Sequence, residues 1–177
     1  MNTYKRACNT PSVYKNSGFT IVELLIVIVV IGILAAIVIV AYSGISSSAN
    51  DSVVRNDLKQ SYSKIQQFYV LNGRFPTSQN EINQNLIATK ASYGGGNNYY
   101  IYCRADNAMV AVVGRTTNGT GFAYSSEDGA MKFSSWPGDG NGDLCPAAGI
   151  PTSSSGYNAT WIGVNGAWMS WFTGTGS

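Results

Sequence analysis

Residues 24–42 carry no charge, and apart from Gly32 and Tyr42 every one of them is Leu, Ile, Val or Ala. Nineteen residues at about 1.5 Å each come close to the roughly 30 Å of a bilayer's hydrocarbon core. Many of them are β-branched, which in water would favour a strand. Lipid offers the backbone no hydrogen-bond partner, however, and a lone strand cannot satisfy itself there. A membrane-spanning helix is therefore expected over about 24–42, and the rest of the chain must be arranged around it.

Glu23 stands at the mouth of this run, with no Lys or Arg between Phe19 and Asp51 to neutralise it. An acid inside a spanning segment costs on the order of 2.5–3.5 kcal/mol near the bilayer centre and less toward its edge. A cut after Gly18 would create an α-ammonium on Phe19 and supply the missing cation. Gly18, Phe19 and Thr20, with Glu23 fifth after that cut, resemble the processing site of type IV pilins and their pseudopilin relatives. The resemblance covers roughly residues 1–75. It implies that a prepilin peptidase cleaves after Gly18 and N-methylates Phe19. It also implies that Glu23 meets the terminal amine of a neighbouring subunit as helices stack into a filament. Gly32, fourteenth after the cut, matches the family's usual glycine, whereas Val40 stands where a proline is frequent. A single-pass anchor with Glu23 in the headgroup layer is the plainer reading of the same residues.

Lys5, Arg6 and Lys15 precede Gly18, and the acids begin at Glu23. Without residues 1–18 the formal charge moves from +2 to −1, so the basic leader belongs on the cytoplasmic side and the C-terminal part outside. A secretory signal peptide would instead be cut after its apolar core, near Ala35-Ala36 or Ala41-Tyr42-Ser43. Removing Cys8 with the leader leaves Cys103 and Cys145 as an even pair. A bond between them would close a loop of about 40 residues, worth roughly 3–4 kcal/mol in the chain-entropy model; two separate buried thiols are the other option. The chain has no histidine, which removes His-activated nucleophiles, and it has no nucleotide-binding motif. An enzyme is the least expected class.

The chain divides by pattern into a cleaved leader (1–18), a stalk helix (19–72) and a β-rich extracellular head (73–177). Residues 43–50 are mostly weak helix formers, but from Asp51 onward Val54, Leu58, Tyr62, Ile65 and Phe68-Tyr69 recur at helical spacing. The stalk should end at Asn72-Gly73, some 54 residues and about 80 Å after Phe19. Arg74-Phe75-Pro76 then leaves it as in many pilins. A short helix is expected around 80–89, followed by strands at 98–103, 108–114, 121–127, 130–135, 160–164 and 167–172. Asp128-Gly129 and Asn165-Gly166 read as two-residue hairpin links, and 152–156 as an exposed loop. The expected class is α+β, a long helix packed on an antiparallel sheet.

Asp139, Asn141 and Asp143 place oxygen-bearing side chains at i, i+2 and i+4 between glycines, a spacing that suits Ca²⁺. Ile150 stands where an EF-hand loop has its closing Glu, so a solvated turn is the competing reading. Trp136, Trp161, Trp168 and Trp171 are either packing residues or a sugar-binding patch; strand alternation would put Trp168 and Phe172 on one face and Trp171 on the other. Three glycosylation-type triplets begin at Asn50, Asn118 and Asn158 and carry no assigned function. After processing, the chain lacks the basic excess for direct nucleic-acid binding.

The expected function is a pilus subunit, cleaved after Gly18 and polymerised through its N-terminal helix into a surface filament for adhesion, motility or DNA uptake. By resemblance its partners are further copies of itself, the prepilin peptidase, an assembly ATPase and an inner-membrane platform. It would sit in the cytoplasmic membrane with its N-terminus inside before assembly and in the extracellular pilus after. A pseudopilin of a type II secretion or competence machine is the nearest alternative, and a membrane-anchored glycan-binding protein a more distant one.

Overall fold

The structure is a computed structural model that describes residues 18–105, 109–164 and 166–174. The leader's basic residues, Cys8, Ala108 of the expected second strand, and Asn165 of the second hairpin link lie outside these described residues.

Helix α1 runs Ile21–Asn72 without a break through Gly32, Val40, Gly44 and the weak helix formers of 43–50. Two compact units divide the chain after Tyr42. In the first, the apolar side chains of α1 are exposed throughout; Ile26, Ile33 and Val38 expose 57–63% of their surface. Among the described residues, α1 is the one helix long and apolar enough to cross a membrane.

In the second unit, Ser43–Ser177, the remainder of α1 buries Val54, Leu58, Ser61 and Ile65 as one stripe, with Asp57 beside it. The helix stops where expected: Gly73 takes φ +67°, and its N–H donates to Tyr69 O at 2.8 Å. Helix α2 (Gln79–Asn85) begins with a capping box between Ser78 and Glu81. It ends at Asn85, short of the expected 89: residues 86–89 are irregular, and a 3₁₀ turn follows at Lys90–Ser92.

The sheet has six antiparallel strands in the order β4-β3-β2-β1-β5-β6. They are β1 (Asn98–Ala105), β2 (Met109–Arg115), β3 (Gly121–Ser125), β4 (Gly129–Lys132), β5 (Asn158–Val164) and β6 (Ala167–Trp168). One face, with Tyr100, Tyr102, Val110, Val112 and Phe122, packs on the α1 stripe. The other, with Ile101, Cys103, Ala111, Val113 and Ala123, is covered by Leu144, Cys145, Ala148 and Ile150. The second layer is helix α3 (Asn141–Ala147) and the residues after it. Both faces of β1 and β2 are thus buried, which is why those strands read as nearly continuous apolar runs.

Three details differ from the sequence expectation. β3 pairs Ser125 with Gly129, so three residues form the turn, and Gly129 takes positive φ (+67°). The link is a three-residue hairpin loop, not a two-residue Asp-Gly turn. β6 ends at Trp168, and a turn closed by Phe172 N–H donating to Met169 O replaces the expected strand to 172. Trp168 and Phe172 therefore stack face to face, with centroids 5.4 Å apart, without strand alternation. The third is α3, which occupies part of the segment read as an irregular acidic loop.

Candidate assembly site

Gly18, Phe19 and Thr20 precede the first turn of α1, and all three are exposed, Phe19 to 88%. A Cβ placed on Gly18 would meet nothing within 4 Å. The bond between Gly18 and Phe19 lies ahead of the helix.

Thr20 caps the helix. Its Oγ1 accepts from Glu23 N–H at 3.2 Å, while Glu23 Oε2 accepts from Thr20 N–H and from the Thr20 hydroxyl, both at 2.8 Å. This is a reciprocal capping box, and it turns the Glu23 carboxylate back toward the chain's N-terminal side. The acid also lies in the first turn, where the helix dipole favours negative charge. Sequence reasoning singled out Glu23 but overlooked Thr20; the Thr-x-x-Glu spacing was the signal that could have found it. Gly18 and Phe19 lie just ahead of α1, and Glu23 lies in its first turn.

Cys103 and Cys145 form a disulfide that ties β1 to α3, with Cα atoms 5.8 Å apart. The Asp139, Asn141, Asp143 group straddles the start of α3. Asp139 Oδ1 accepts the Trp136 indole N–H at 3.2 Å, and Asn141 O accepts the Tyr157 hydroxyl at 3.1 Å. Asp143 opens the first helical turn, its carboxylate against Gly138 and Gly140. Among the described residues, no group of three or more His, Cys, Asp or Glu side chains is placed to hold a metal ion. The site has two carboxylates, so a Ca²⁺ ion would need most of its six to eight oxygens from amides, backbone and water.

The four tryptophans are half-buried. Trp168 lies edge-on to Tyr93, Tyr99 and Tyr100, and Trp171 edge-on to Phe172. Trp136 and Trp161 pack against the cluster on the α3 side of the sheet. All four serve as packing residues, whatever rim they leave exposed. The Asn118 amide donates to Ser47 and Asp51 of α1, and that of Asn50 to Thr117, so two of the glycosylation-type triplets begin at amides engaged in holding the helix to a head loop.

The chain thus combines a helix whose first half is apolar and exposed, an acid capping the start of that helix, and a disulfide-pinned β head packed on its second half. The description "prokaryotic N-terminal methylation motif" matches residues 14–39. The type IV major pilin protein PilA of Myxococcus xanthus is 37% identical over 68 residues, 38% of this chain and 31% of that protein. The type IV wide pilus major component PilA4 of Thermus thermophilus is 30% identical over 131 residues, 73% of this chain and 96% of that protein. The chain belongs to the type IV pilin family, and its role is that of a structural pilin subunit.

Proposed function

We propose that the chain is cut between Gly18 and Phe19 by a prepilin peptidase, N-methylated on Phe19, and polymerised through α1 into an extracellular filament. The Glu23 carboxylate at the start of an uncharged, exposed apolar helix carries this reading. Cleavage puts a cation on Phe19, four residues before Glu23. Within one chain the carboxylate is held by Thr20; in the filament it receives the Phe19 ammonium of a neighbour, which neutralises both charges in the apolar bundle. Apolar helices leave lipid for an equally apolar bundle, so hydrophobicity adds little net drive, and packing and this pairing set the register. A heterologous contact that does not close on itself yields a filament and not a ring.

Before assembly α1 holds the chain in the cytoplasmic membrane with residues 1–18 inside, and the assembly ATPase and inner-membrane platform are separate proteins. Adhesion, motility or DNA uptake would be carried by the assembled fibre. No enzymatic role is assigned, in keeping with the structural roles named for the relatives.

Mass spectrometry of protein sheared from the cell surface tests the processing step. N-methylated Phe19 is expected at the terminus; Met1, or a start near Tyr42, would overturn it. Gly18→Val should leave unprocessed protein in the membrane, and a Phe19 terminus in that variant would contradict the assignment of the cut.

A further inference from the structure

The sheet sorts the head's exposed charge. On the α1 side are Arg55 and Lys59 of α1, together with Lys132, which shares a face with Phe122 because the two pair in register across β3 and β4. The acids on that side are engaged: Asp57 accepts from Thr89, Asp51 from Asn118, and Glu81 from Arg74. Glu127 and Asp128 lie on the other side, at the tip of the β3–β4 turn beside the end of α3. A Cβ on Gly149 would come within 2.8 Å of Asp128 Oδ2 and 3.1 Å of Glu127 Cβ. Both acids are exposed. Arg115, a cation on that side, is held over the Trp136 ring at 5.2 Å.

Arg55 and Lys132 converge on one ring. The guanidinium carbon lies 5.7 Å and the ammonium nitrogen 5.8 Å from the Phe122 centroid, at a cleft of about 190 Å³ lined by Arg55, Phe122, Tyr124, Ala130, Met131 and Lys132. Among the described residues the ion pair formed is Arg74–Glu81, so neither cation of the cleft has a carboxylate. Two like charges beside an aromatic floor leave room for a doubly anionic partner.

We propose that this cleft receives the Glu127-Asp128 turn of a second copy of the chain, as a head-to-head contact along the filament. The inference rests on the filament reading above and adds which surfaces meet. Two carboxylates face two cations, and the patches lie on opposite sides of one head, so each subunit can give one and take one and the contact repeats without closing. A two-fold pairing of either patch with itself would oppose like charges. β4 is an edge strand of the sheet, and the lysine it carries discourages strand-to-strand addition, which leaves side-chain docking as the mode.

Charge exchange in the full-length chain tests this, with sheared filament yield as the readout. The terminus and the Cys103–Cys145 bond of membrane-resident protein, checked by mass spectrometry, serve as controls for processing and folding. Arg55→Glu with Lys132→Glu should lower the yield at least about tenfold, and so should Glu127→Lys with Asp128→Lys. All four substitutions together should restore it, which no general loss of stability would do. Wild-type yield from either one-sided variant would overturn the contact. So would failure of the four-fold variant when it is processed and disulfide-bonded. Absence of Phe19-terminated filaments from the unaltered chain would instead overturn the filament reading itself.

Discussion

The Glu23 carboxylate completes a cap with Thr20; on the proposed cleavage the same oxygens would be available to an ammonium. Glu23→Val should still be processed to Phe19 yet fail to enter filaments, measured as mature protein in the membrane fraction without sheared pilin. Normal filament density from that variant alone would sink the pairing mechanism. A second carboxylate, Glu81, is held well below the usual carboxylate range, first by the Arg74 guanidinium and then by the Thr77 N–H. A lowered folded-state value means the pair stabilises the head above the unfolded value near 4.5 and is lost as pH falls below it toward the folded value. Acid unfolding of residues 43–177 should therefore steepen below about pH 4.5, and Glu81→Gln should flatten that limb; identical slopes would remove the effect. Asp57, buried and accepting Thr89 N–H at 2.6 Å, is a different case, since Asp57→Ala would leave that N–H without its acceptor.

At the scale of elements, α1 and α3 clamp the sheet from opposite sides by different means. α1 approaches closely because Gly114 has no side chain: a Cβ there would lie 2.8 Å from the Tyr93 ring and 3.3 Å from Leu58 Cδ2. Gly114→Val should cost about 1–3 kcal/mol by overpacking, read as a lower denaturation midpoint of the head. α3 is seven residues long with Pro146 inside it, too short to persist alone, and is held by Leu144, Cys145 and the disulfide. Replacing Cys103 and Cys145 by serine should cost roughly 3–4 kcal/mol for a closed loop of this size. A change under about 1 kcal/mol would mean that packing alone seats α3.

For the whole molecule, one helix serves two solvents. From Leu24 to Tyr42 its residues are exposed and uncharged, suited to lipid or to a bundle of like helices; beyond Tyr42, a stripe is committed to the head. Removal of residues 1–42 should leave a head that is monomeric without detergent and absent from filaments, checked by light scattering and by shearing. Aggregation of that fragment would show that the second unit depends on the first for solubility.

Much of this was legible in the chain because it followed from local chemistry. Nineteen uncharged residues point to a helix, Asn72-Gly73 ends that helix, and the even pair Cys103 and Cys145 invites a bond. α3 was not legible, since its helicity comes from burial against β1 and β2 and not from propensity or period. The final strand is cut short for a similar reason: Trp168 and Phe172 stack on each other and pack against Tyr100 instead of extending a two-residue ladder. The convergence of Arg55 and Lys132, 77 positions apart, over Phe122 likewise has no local signature. Spacing along a chain records what neighbours in sequence can do with solvent, whereas the meeting of α1, β3 and β4 depends on how distant faces pack.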